Sequence, residues 1–327
     1  MNSLREPIHE WAIVLAGGDG VRLQELSYLV SGDYRPKQFC EFFGGKSLLG
    51  HTRDRLQPLF RDENTFFVLN RTHRRYYWEE LADVPSTQTL VQPSNRGTAP
   101  AIALAVREII GRDPDCMIAL FPSDHHYREN SIFQATIDRA LQFAKVCGDR
   151  LLIIGAPATY PEVEYGWIQP RPIVLQSRLN ALQYVSRFWE KPNLVQARAL
   201  QKSGCLWNTF VMVGSGKAFL GLLGATVPYL LAAIGDWFST RDLDQIYREI
   251  ESIDFSKDVL SAAPDRLLVL RDGSSGWTDF GSPQRARDVL EEMEEGCNSR
   301  WIDFGTPGGR QGHSLPGLPR VRKLKSV

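Results

Sequence analysis

The sequence predicts a doubly wound α/β fold, a mostly parallel sheet flanked by helices. Three observations predict it. Short apolar runs recur along the chain, longer stretches with helical spacing separate them, and the joins between the two are brief. The runs are too apolar to keep one wet face, as expected of strands covered on both sides by helices.

The expected strands are W-A-I-V-L-A (11–16), T-F-F-V-L-N (65–70), Q-T-L-V-Q (88–92), C-M-I-A-L-F (116–121) and L-L-I-I-G (151–155). Between them, residues 47–59, 98–110 and 131–144 place apolar side chains at helical spacing. Residues 160–215 break this rhythm. Y-G-W-I-Q-P, L-Q-Y-V-S-R-F-W-E-K-P and L-W-N-T-F-V-M-V predict β-rich segments inserted around a site. Helices are expected again at about 217–235 and 241–250, a strand at 266–272, and a final amphipathic helix at 284–295. One domain over 8–296 is expected, followed by a short extension, 297–327. Its glycines, prolines and closing R-V-R-K-L-K-S-V predict a loosely ordered, solvated tail.

The 327 residues, 43% apolar and 23% charged, suffice for one large α/β domain. A formal net charge of zero removes the broad electrostatic case for nucleic acid. Cys40, Cys116, Cys147, Cys205 and Cys297 show no metal-clamp or redox spacing and predict small core residues in a reducing cytoplasm. The first ten residues lack the apolar core of a secretory signal. No stretch reaches the roughly 18 apolar residues of a membrane span. The longest candidate, 219–234, contains Pro228 and predicts a packed helix pair.

In L-A-G-G-D-G-V-R-L (15–23), a strand runs into glycines that let the backbone approach a ligand. Successive N–H groups in such a turn form an anion nest, to which Arg22, Arg35 and Lys37 can add charge. The stretch is neither a G-x-G-x-x-G dinucleotide loop nor a P-loop ending in G-K-S/T. Asp124, in F-P-S-D-H, follows a strand at the edge where open α/β sheets place ligand groups. With Asp279, in G-W-T-D-F-G-S, it makes a pair of carboxylates suited to Mg²⁺, whose shell phosphates often complete. His125 and His126 have no third soft ligand and are expected to be structural. A nest, a loop lysine and two loop aspartates together point to phosphoryl or nucleotidyl transfer.

The chain resembles the mannose-1-phosphate guanylyltransferase family, within the sugar-phosphate nucleotidyltransferase superfamily. The resemblance rests on L-A-G-G-D-G-V-R-L, R-P-K-Q-F, Q-P-S-N-R-G-T-A-P-A, F-P-S-D-H, E-Y-G-W-I, F-W-E-K-P, W-N-T-F and W-T-D-F-G-S, in the family's order over about 11–283. It implies a Rossmann-like fold of the nucleotide-diphospho-sugar transferase type, with an inserted β-rich sugar-binding segment. It also implies that the backbone of Ala16, Gly17 and Gly18 approaches the nucleotide, and that Arg22 and Lys37 bind its phosphates. Gln92, Asn95, Gly97 and Thr98 are implied for the base and ribose pocket, and Asp124 and Asp279 for Mg²⁺. Gly166, Glu190, Asn208 and Thr209 are implied for the hexose hydroxyls and Lys191 for the sugar phosphate, while Trp189 and Trp207 are expected to pack. The implied substrates are GTP and mannose 1-phosphate, without nucleic acid or membrane, in a monomer or homodimer.

Three features depart from the family pattern. Gln24-Glu25 follows R-L where a proline turn is usual, and Phe210 stands where a glycine is common. The residues after 296 are too few for a full β-helical or cupin-like extension.

Overall fold

A computed structural model describes residues 9–171, 182–235 and 242–295. The strands are β1 Glu10–Leu15, β2 Thr65–Asn70, β3 Thr89–Gln92, β4 Met117–Pro122, β5 His126–Tyr127, β6 Leu151–Pro157, β7 Gly166–Pro170, β8 Leu182–Glu190, β9 Leu206–Ser215, β10 Leu267–Arg271 and β11 Trp277–Thr278. The helices, numbered in chain order, are α1 Gln24–Ser31, α2 Leu48–Leu56, α3 Arg74–Glu80, α4 Thr98–Arg112, α5 Asn130–Ala144, α6 Leu194–Lys202, α7 Gly216–Thr226, α8 Pro228–Gly235, α9 Leu243–Glu249 and α10 Pro283–Glu295. A π-helical turn spans Phe255–Leu260. The five expected strands and the expected helices all form. The extension 297–327, with Cys297, lies outside the described residues.

Nine strands form one mixed sheet in the order β3-β2-β1-β4-β9-β6-β10-β8-β7. β1, β2, β3 and β4 run parallel, as do β6 and β10. β9 inverts the direction, pairing antiparallel with β4, β6 and β7. Its first residues sit between β6 and β7, so β9, β6, β10, β8 and β7 close into a ring. The inserted β-rich segment is therefore continuous with the main sheet. That continuity ties the positions of its side chains to β1 and β4.

Strand parity explains the apolar runs. Along β1, Trp11 and Ile13 enter one core while Ala12 and Val14 enter the other; on β4, Ile118 and Leu120 oppose Ala119 and Phe121 in the same way. α4 is buried on nearly every side, because it lies between the sheet and α7, α8 and the π-helical turn. Helices α7 and α8 meet at 117°, and Phe219, Leu222, Leu223, Leu230 and Ile234 are buried in that core. No single helix among the described residues is long and apolar enough to cross a membrane. Cys40, Cys116, Cys147 and Cys205 are free thiols, Cys147 alone being only half-buried.

Candidate active site

β1 and β4 are adjacent, with Leu15 opposite Pro122, so the loops that leave their carboxyl ends open at one place. The first is the Gly-rich loop. A Cβ on Gly17 would lie 2.8 Å from Gln92 Nε2, so a larger residue there would have to displace that amide. Gln38 Nε2 donates to the Ala16 and Gly18 carbonyls, at 3.1 and 2.8 Å, and clamps the loop from inside. Asp19 accepts from Asn95 Nδ2 at 2.8 Å and lies 3.1 Å from His73 Nε2, rooting the loop in the neighbouring 92–98 segment. Beyond Arg22 the chain enters α1 directly, burying Leu23 and Leu26 against Phe42, Phe43 and Phe280. A helix thus takes the place of the proline turn usual at this exit.

Lys37 is 9% exposed and sits at the centre of the site. Its Nζ donates to the carbonyls of Asp279 (2.7 Å) and Phe280 (3.3 Å) and lies 3.1 Å from Asp124 Oδ2. The lysine thus joins the loop after β4 to the loop after β11. Asp279 Oδ1 accepts from Gly281 N (2.7 Å), Tyr165 OH (3.0 Å) and Arg285 Nε (3.0 Å). Arg285 Nη1 in turn reaches Glu162 Oε2 at 2.6 Å. Burial pushes the Asp279 carboxyl up, but Lys37, Arg285, His125 and the Gly281 N–H together hold it below its usual value. Burial lowers His125 to about 4, and its Nδ1 accepts from Trp277 Nε1 at 3.1 Å, so it is a neutral, structural ring at neutral pH.

The sugar side of the cleft is built by β7, β8 and β9. Gly166 pairs with Glu190 across β7 and β8, and Asn208 joins them from β9, opposite Gly155 of β6. All three line a cleft of about 260 Å³ that also exposes Gly18, Thr98 and Asp124. An adjoining cavity of about 350 Å³ takes in Gly20, Arg22, Lys37, Asp124 and Asp279. Burial, and then the charge of Asp254, push Glu190 up to about 7, although Lys191 opposes the shift. Lys191, at φ 46°, holds its Nζ 3.9 Å from Glu190 Oε1.

One expected sugar contact is corrected. Thr209 does not face the cleft: it is fully buried, and its Oγ1 donates to the Ile154 carbonyl at 2.8 Å. The cause is strand parity, which turns the neighbour of Asn208 to the other face of the sheet. On the nucleotide side Gln92 is only 4% exposed, packed beneath Gly17 with its Oε1 accepting from Tyr247 OH at 2.9 Å. Gly97, at φ 81°, leaves no room for a Cβ, which would fall 2.3 Å from the Ile253 carbonyl. Asn95 Oδ1 accepts from Gly97 N at 2.9 Å, and Thr98 Oγ1 accepts from Phe255 N at 2.8 Å. Trp207 packs among Tyr160, Tyr165, Trp167 and Trp277, and Trp189 lies under the Arg187 guanidinium. Gln38, Asp19, Tyr165, Glu162 and Arg285 carry positioning contacts that motif reading does not assign. Tyr165 stood inside the quoted E-Y-G-W-I, but its partner is 114 residues away.

Among the described residues no three metal-ligating side chains gather into a cluster. Asp124 and Asp279 are a pair of hard oxygen donors, which suits Mg²⁺ only where a bound phosphate completes its shell. Lys37 Nζ lies between the Asp124 carboxylate and the Asp279 backbone carbonyl.

A family model described as nucleotidyl transferase matches residues 11–296. The chain belongs to this family. A nucleotidyl transferase relative, the mannose-1-phosphate guanylyltransferase of Klebsiella pneumoniae, is 30% identical over 297 residues, covering 87% of this chain and 60% of the relative. The xanthan biosynthesis protein XanB of Xanthomonas campestris pv. campestris (strain B100) is equally similar, with the same coverage. The chain thus spans about three fifths of the length of these relatives. Among solved structures, a Thermus thermophilus chain described as mannose-1-phosphate geranyltransferase superposes with a TM-score of 0.77 at 26% identity, covering 86% of this chain and 79% of that one. A Helicobacter pylori chain described as mannose-6-phosphate isomerase superposes at 0.65 with 22% identity, a likeness of fold.

Proposed function

We propose that this nucleotidyl transferase moves a guanylyl group from GTP to mannose 1-phosphate, releasing pyrophosphate and forming GDP-mannose. The observation that carries the reading is one cleft with two chemistries. The Gly-rich loop, Arg22, Lys37 and the two aspartates line one part of it and Gly166, Glu190 and Asn208 the other, with Lys191 beside Glu190. The choice of GTP and mannose is supported by the relatives at about 30% identity and by the R-P-K-Q-F and N-R-G-T-A-P-A motifs.

A sugar 1-phosphate brings its own anionic nucleophile, so the reaction needs no general base. Its oxygen attacks the α-phosphorus in line, a P–O bond forms, and the bond to the β-phosphate oxygen breaks as pyrophosphate leaves. The protein supplies position and charge. Every cation assigned to phosphate lies near a carboxylate: Arg22 at 2.6 Å from Glu164, Lys37 at 3.1 Å from Asp124, and Lys191 at 3.9 Å from Glu190. Substrate phosphates take over these partners. Arg22 and Lys37 then offset charge on the triphosphate, and Lys191 orients the incoming phosphate against the repulsion of two anions. Mg²⁺, held by Asp124 and Asp279, would neutralise further negative charge on the triphosphate.

The test is a panel of nucleoside triphosphates and hexose 1-phosphates, with and without Mg²⁺, read as pyrophosphate release. The highest kcat/KM is expected for GTP with mannose 1-phosphate in Mg²⁺. Turnover with a different pair alone overturns the substrate choice, and no turnover with any pair overturns the reading.

Glu190 makes the reaction pH-dependent. Only its ionised form is purely an acceptor for sugar hydroxyls, and its pKa is pushed up to about 7. Between pH 6 and pH 8 the ionised fraction grows about tenfold, and kcat/KM for the sugar phosphate is expected to rise with it. Glu190→Gln should remove that rise while lowering the plateau. A profile identical in the variant would assign the ionisation elsewhere.

A further inference from the structure

Four non-glycine residues among those described adopt positive φ: Lys191, Phe210, Ser274 and Phe280. Phe210, at φ 60°, lies in the middle of a strand and lines the sugar side of the cleft beside Asn208 and Glu190. A left-handed backbone strains a bulky side chain and leaves glycine unstrained. Here the conformation is held by the Asn208 side chain, whose Oδ1 accepts from Phe210 N at 3.1 Å. It is held also by Thr209, whose Oγ1 accepts from Val211 N at 3.3 Å, opposite a register shift in β6. The turn therefore serves the two polar neighbours whatever side chain occupies position 210, and the ring is an addition to it.

Apolar burial alone is a poor account of that addition. Phe210 is half-buried, packed on the edge of the core with an aromatic partner, Phe255, at 6.5 Å and 76°. Phe255 is fully buried in the π-helical turn, whose Ser256 lines the same cleft, so the Phe210 ring has a fixed backing. A sugar held by Glu190 and Asn208 must fit against this ring in a cleft of only about 260 Å³.

We propose that Phe210 sets sugar specificity by acting as a wall of the sugar subsite. It admits hexose 1-phosphates that carry only hydroxyls and excludes those with an N-acyl substituent. The inference rests on the proposed function for the class of ligand, and its test is equilibrium binding, which needs no turnover. Calorimetry compares mannose 1-phosphate with N-acetylglucosamine 1-phosphate on the wild type and on Phe210→Gly, a residue this backbone accepts without strain.

The wild type should bind mannose 1-phosphate at least tenfold more tightly than the N-acetyl sugar, and Phe210→Gly should shrink that ratio at least tenfold by admitting the larger ligand. Phe210→Leu, which keeps an apolar wall, should stay close to the wild type. Equal binding of both sugars by the wild type, or an unchanged ratio in a folded Phe210→Gly variant, overturns the inference. Absence of binding by either sugar overturns it together with the function. A wild type that discriminates between the sugars yet transfers no nucleotide overturns only the proposed function.

Discussion

Asp124→Ala is expected to lower kcat for nucleotidyl transfer on the order of 10³-fold while leaving the fold intact. Asp124 sits on the loop after β4, lines both halves of the cleft, and is partly exposed. Among the described residues it meets Lys37 at 3.1 Å and the neutral His125 ring at 3.8 Å, and Lys37 keeps two backbone carbonyls when the carboxylate is gone. Little of the structure therefore depends on it. In the proposed reaction the loss falls on charge and position at the triphosphate, which are felt most in the transition state, so kcat should fall more than KM rises. Lys37→Ala should impair turnover comparably and also lower stability, because it leaves Asp124 and two buried carbonyls without their cation. Pyrophosphate release together with thermal unfolding separates the two variants. Near-normal turnover in a folded Asp124→Ala protein would remove Asp124 from the reaction.

Arg285→Ala has the largest expected effect on stability, about 3 kcal/mol. The guanidinium is almost fully buried between Asp279 (3.0 Å) and Glu162 (2.6 Å) and lies over the Tyr165 ring at 4.7 Å. Truncation would leave two nearly buried carboxylates facing the same space. The pH dependence follows from Asp279, whose native pKa is held below its usual value. Such a group stabilises the fold above the ordinary carboxylate range, and that contribution disappears as pH falls through the native pKa. Removing Arg285 takes away part of the depression, so the acid-unfolding midpoint should move to higher pH. Urea unfolding at pH 7 and an acid titration measure both effects. Arg285→Lys should restore charge but only part of the stability, because an ammonium cannot hold the two carboxylates in one planar fork. A change below about 0.5 kcal/mol in Arg285→Ala would show that the network contributes little.

Much of the fold was legible because its signals are local. The runs at 11–16, 65–70, 116–121 and 151–155 became strands since both faces of each are covered, and a strand without a wet face admits few polar residues. Most of the site was legible for a related reason. Gly18, Asp124, Gly166, Glu190 and Asn208 lie in motifs whose turns or strand ends place each of them on one cleft, with Lys37 on the adjoining cavity. Thr209 shows where this reasoning stops, since its motif neighbours Asn208 and Phe210 line the cleft while it turns into the sheet.

By itself the sequence determined the alternation of strands and helices, the Gly-rich loop and the identities of the charged groups around it. These depend on periodicity and on turn chemistry within a few residues. Tertiary structure alone decided which charges neutralise one another. Tyr165 meets Asp279 across 114 residues, and Arg285 meets Glu162 across 123. Those contacts require β9 to invert, the β7–β8 ladder to fall in register, and α10 to return to the cleft. No short stretch encodes such an arrangement, because it is set by how whole elements exclude water from two shared cores.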